Sequence, residues 1–85
     1  MTRVPTAEVN RIVEAAQRER PAPARARYRY ATQVASRPPT FVLFGAGPPD
    51  PTYQRFLENR LRREFGFDGV PIRLRFRAKR PRSHA

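Results

Sequence analysis

The run Phe41-Val42-Leu43-Phe44 constrains this chain more than any other feature. Strand side chains alternate between two faces, so four consecutive large apolar residues need cover on both sides. That makes the run the candidate for the centre of a sheet. A second strand-like run, Tyr28–Ala35, precedes it, and Arg37-Pro38-Pro39 stands between the two where the chain would reverse. Strands joined by a few turn residues pair antiparallel. In the earlier run Tyr28, Tyr30, Thr32 and Val34 share one side, read here as the core side. Arg27, Arg29, Ala31, Gln33 and Ala35 share the other.

A central strand needs something to lie on it, and the flanks supply two helices. Val9, Ile12, Val13 and Ala16 follow the i, i+3, i+4, i+7 rule of one helical stripe. Thr6 is placed to cap that helix, Glu14 and Arg18 to pair across one turn, and Pro21 and Pro23 to end it. The loop Gly45–Pro51 leads to Asp50-Pro51, a strong helix start. Tyr53, Leu57, Leu61 and Phe65 then form a second stripe, with Glu58 and Arg62 as a further pair and Gly66 at the end. Ile72-Arg73-Leu74-Arg75-Phe76-Arg77 alternates strictly, which predicts a third strand with its arginines outward.

The order is therefore α-β-β-α-β. The predicted fold class is α+β: a three-stranded mixed sheet with two helices on one face. Residues 1–5 read as a lead-in, 6–78 as the domain and 79–85 (KRPRSHA) as a disordered basic tail. At 85 residues one modest core is possible and a deep catalytic cleft is not expected.

The uncovered sheet face is left to Arg27, Arg29, Arg73, Arg75 and Arg77. These are the candidate contact residues for RNA or another anionic partner. Alternate strand positions lie about 7 Å apart, close to the spacing of successive phosphates. The formal net charge of +11 and the near-exclusive use of arginine suit phosphate recognition. Against catalysis stand a single histidine, His84 in the tail, no nucleophile–base pair, no metal-ligand cluster and no Walker sequence. The chain is expected not to be an enzyme in itself and to hold no cofactor or metal of its own. With no cysteine, no long apolar span and no signal-like N-terminus, it reads as a cytoplasmic chain with no membrane partner.

Three smaller motifs are weaker. Gly66-Phe67-Asp68-Gly69 has the GxxG spacing of a KH backbone clamp. Here it joins a helix to a strand and carries an acid, so a helix cap and tight turn fit better. Tyr28 and Tyr30 could stack on bases but share the pattern of the expected core side. Gly45-Ala46-Gly47 lacks the third glycine of a dinucleotide loop.

The segments TQVASRPPTFVLF (Thr32–Phe44) and YQRFLENRLRREFGFDGVPIRLRFR (Tyr53–Arg77), with PTAEVNRIVEAA (Pro5–Ala16), resemble the C-terminal KH-like domain of the bacterial Der (EngA) GTPases. The resemblance spans Val4 to Lys79. It implies a KH-like fold of the same α-β-β-α-β order, without a helix–helix GxxG loop. It also implies a role in large ribosomal subunit assembly, through ribosomal RNA contact and packing on the family's two GTPase domains. GTP and Mg belong to those domains, which this sequence does not contain. The alternative is a docking domain whose basic face binds GTPase domains without touching RNA. The loop GAGPPDP departs from the acidic, Asn-containing segment of the family.

Overall fold

The computed structural model describes residues 3–78; the expected basic tail at 79–85 lies outside the described residues. Helix α1 (Thr6–Glu19) is followed by a short 3-10 turn (Pro23–Arg25), strands β1 (Tyr30–Ser36) and β2 (Pro39–Phe44), helix α2 (Pro51–Glu64) and strand β3 (Arg73–Arg77). The strands form one sheet in the order β1-β2-β3. β1 runs antiparallel to β2, and β2 runs parallel to β3. The α+β class, the α-β-β-α-β order and the central place of β2 are as the sequence predicts.

Both helices insert their predicted stripes into one core. Val9, Ile12, Val13 and Ala16 of α1 and Tyr53, Leu57 and Leu61 of α2 are buried. They meet Phe41 and Leu43 of β2 and Leu74 of β3, and Phe76 packs at the margin. Val4, within the expected lead-in, is also part of this core. Asp50 caps α2, its Oδ1 accepting from the Tyr53 N–H at 2.7 Å. At the other end Gly66 takes φ 74°, and the Phe67 N–H donates to the Arg62 carbonyl at 2.8 Å. That is a Schellman ending with Phe67 buried behind it. The Val70 N–H then donates to the Phe67 carbonyl at 2.9 Å, closing a turn. The GxxG spacing is thus a helix cap and turn.

Three local expectations need correction. Thr6 is the first helical residue rather than the cap. Pro5 holds the cap position without a side-chain bond, and the Thr6 hydroxyl meets that of Thr32 at 3.1 Å. Glu58 does not reach Arg62: it accepts from Gln54, while Arg62 donates to Asn59 Oδ1 and the Val70 carbonyl.

The third correction concerns the faces of β1. Ala31 and Gln33 point into the core, at 0% and 4% exposure, and Val34 is 48% exposed. Register confirms it, because Ala31 faces Leu43 and Gln33 faces Phe41, both core residues. Tyr28 is buried as expected, but it precedes the strand, and Tyr30 lies on the opposite face against Phe44. The physical reason is the close approach of α1. The Asn10 side chain binds both the N–H and the carbonyl of Ala31, and Gln17 does the same for Tyr28. A backbone drawn that near a helix leaves room for a methyl group and none for an aromatic ring. Gln33 satisfies its buried amide by accepting from the Val4 N–H and donating to the Ala35 carbonyl.

Candidate nucleic-acid interface

The sheet face opposite the helices is built by the register. Residues paired across strands share a face, so three rows cross it: Tyr30–Phe44–Arg77, Thr32–Val42–Arg75 and Ala35–Thr40–Arg73. Each row ends in an exposed arginine. Val42 and Phe44 are buried although they are not part of the helix-side core. Their screen is the neighbouring side chains of their own rows. The aliphatic stems of Arg75 and Arg77 are suited to this, because they lie along apolar surface and leave the guanidinium in water. Tyr30 packs its ring on Phe44 with centroids 5.8 Å apart.

The face is electrostatically one-sided. None of its rows contains an acid. The ion pairs among the described residues use Glu8, Glu14, Glu19 and Glu64, all on the helices. Arg73, Arg75 and Arg77 therefore carry three positive charges at alternate positions, about 7 Å apart, and none of them is in an ion pair among the described residues. Such a row presents bidentate donors to an extended anion.

Arg27 and Arg29 do not join that row. They are exposed and line a groove of about 670 Å³ beside α1, shared with Asn10, Gln17 and Arg18. β1 and β3 are opposite edges of the sheet, so the five arginines expected together divide into a group of three and a group of two. What sequence reasoning did not place on the same face as the arginines is the apolar part of two rows, Tyr30 and Phe44 in one and Val42 in the other. The parity of β2 relative to Arg73, Arg75 and Arg77 is the signal that could have found Val42 and Phe44.

The neighbouring loop is fixed by two contacts. The Tyr28 hydroxyl donates to the Gly47 carbonyl at 2.7 Å. Gly45 has φ 143°, and a Cβ there would sit 2.2 Å from the Arg27 carbonyl oxygen. Burial, and then the nearby Tyr53, push the Tyr28 phenol up to about 12. Among the described residues no helix is long and apolar enough to cross a membrane.

Two helices on one face of a mixed α-β-β-α-β sheet, with a basic opposite face, define a KH-like module. Comparison with known proteins agrees. The family model for the C-terminal KH-domain-like region of EngA bacterial GTPases matches residues 3–77, so the chain belongs to that family. It is 49% identical to the GTPase Der of Natranaerobius thermophilus over 86 residues, covering 94% of this chain and 20% of that protein. The GTPase Der of Salinispora tropica is 47% identical over 83 residues, with 93% and 18% covered. That of Mycobacterium leprae is 45% identical over 85 residues, with 95% and 18% covered. The chain thus spans about a fifth of the length of these relatives.

Proposed function

We propose that this KH-like module contacts ribosomal RNA through Arg73, Arg75 and Arg77 and acts in assembly of the large ribosomal subunit in the cytoplasm. The observation that carries the reading is the row of three exposed arginines on a face with no carboxylate among the described residues. Each guanidinium that meets a phosphate releases condensed counterions, so binding would be strong at low salt and fall steeply as salt rises. Half-buried Tyr30, at the end of one row, adds an aromatic ring on which an unpaired base can stack. The role is binding and positioning rather than catalysis. GTP and Mg2+ would be the business of GTPase domains like those of the relatives, on which the module would also pack.

One observation favours a second reading, docking to a GTPase domain through the same face. Val34, on the β1 edge, is 48% exposed, an apolar side chain of the kind protein interfaces cover. The triple variant Arg73→Ala/Arg75→Ala/Arg77→Ala separates the two. Weakened rRNA binding with a shallower salt dependence supports RNA contact. Unchanged rRNA binding with lost affinity for a GTPase domain supports docking.

A further inference from the structure

A second set of unneutralised arginines lies on the helix layer. Helix α2 turns Tyr53, Leu57 and Leu61 to the core and Arg55, Asn59 and Arg63 away from it. With Arg20, which follows the end of α1, these residues line a groove of about 370 Å³ over Phe56. The Arg20 guanidinium is held 4.9 Å above the Phe56 ring, and the Tyr53 hydroxyl donates to the Arg20 carbonyl at 2.6 Å. Arg60, also in the lining, is tied to Glu19 at 2.6 Å and Glu64 at 3.2 Å. Those two carboxylates are therefore occupied. Arg55 and Arg63 form no ion pair among the described residues and are exposed.

We infer that this groove is a second phosphodiester-binding site, so that the module holds two RNA segments, one on the sheet face and one along α2. Arg55 and Arg63 are eight residues apart, about 12 Å along the helix, which spans two phosphate steps. Arg20, pre-set on the aromatic ring, lies near the Arg55 end. Chemistry favours RNA over a protein partner here. Phe56, the large apolar residue of the lining, already carries a guanidinium, leaving no bare apolar centre of the kind protein interfaces use.

The inference rests on RNA being the ligand class, as proposed above, but not on the sheet face being its site. Sedimentation equilibrium of the 85-residue chain with a short RNA stem-loop reads the stoichiometry, and a salt titration reads the phosphate contacts. Two stem-loops per chain are expected. Arg55→Ala/Arg63→Ala should leave one and lower the salt slope by about two. Arg55→Lys/Arg63→Lys should keep the second site, because charge is retained. Thermal melts of each variant check that the fold is intact. An Arg55→Ala/Arg63→Ala chain that keeps the wild-type stoichiometry and salt slope overturns the inference. Binding of poly-glutamate lost in the alanine variant, with RNA binding unchanged, also overturns it and assigns the groove to an acidic protein. If the Arg73/Arg75/Arg77 variant keeps full RNA binding while the α2 variant loses it, the sheet-face reading fails and this one stands.

Discussion

The side-chain amide of Asn10 pairs with both backbone groups of Ala31, accepting from its N–H at 2.8 Å and donating to its carbonyl at 2.9 Å. One helical residue thus stands in for a neighbouring strand at the free edge of β1. Gln17, two turns along, repeats the arrangement on Tyr28, at 2.8 Å in each direction. An uncovered edge strand is a template for association with other chains, and α1 removes that template here. Asn10→Ala should cost about 2 kcal/mol in urea unfolding, because two partly buried backbone groups lose their partner. Asn10→Ala/Gln17→Ala should in addition raise light scattering on mild heating. Scattering equal to that of the parent chain would show that the edge is guarded some other way.

Gly45 is set where β2 meets the backbone of Arg27. Because an alanine Cβ would fall 2.2 Å from the Arg27 carbonyl oxygen at φ 143°, Gly45→Ala should destabilise by about 3 kcal/mol or more. Gly47→Ala meets nothing within 4 Å and serves as the control, with a change under about 0.5 kcal/mol. Chemical denaturation of the two variants side by side checks both values.

Much of this was legible in the sequence, and the failures share a cause. The α1 and α2 stripes and the alternation of β3 are patterns of large apolar residues, which is what periodicity detects. The inner face of β1 is not such a pattern. Its core residues are Ala31, chosen for smallness, and Gln33, buried because its amide is satisfied. Tyr30 and Val34 looked like core and are not, because distance to α1 decided the face and hydrophobicity did not. Asn10 and Gln17 give no signal in the sequence, since nothing local announces a long-range backbone partner. On the candidate surfaces, Arg73, Arg75 and Arg77 were visible as a row, while Arg27 and Arg29 were grouped with them by strand parity alone. The α2 groove was invisible because Arg20 reaches it from a different helix.

Tyr28 links core packing to pH. Its phenol stands at about 12, above the ordinary value of about 10, because burial disfavours the phenolate. The neutral form is the one the native state holds. Its contribution is therefore fully present below about pH 10 and is lost as pH rises toward 12. Burial moves Tyr53 in the same direction. Thermal midpoints should be level to about pH 9 and fall above 10. Tyrosinate absorbance should show a late-titrating phenol that is missing in Tyr28→Phe. At neutral pH that variant should lose about 1 kcal/mol with its bond to the Gly47 carbonyl.

Arg60 joins the two helices. Its guanidinium side chain is only 13% exposed and meets Glu19 of α1 and Glu64 of its own helix. Both partners are more open to solvent, so the pairs are screened. Arg60→Ala should cost about 1–2 kcal/mol, including the packing of its stem, and Glu19→Gln under about 1 kcal/mol. A double-mutant cycle in urea measures the coupling. A Glu19→Gln cost equal to that of Arg60→Ala would place the whole effect in the interhelical pair.

The outer sheet face is proposed to bind RNA by paired charge. Its most direct test is the salt dependence of ribosomal RNA binding by the parent chain and by Arg73→Ala/Arg75→Ala/Arg77→Ala. In the variant, log K against log salt should lose about three units of slope, roughly one per lost phosphate contact, with a cooperative melt showing that the chain is still folded. An identical slope and affinity in the two chains would contradict it.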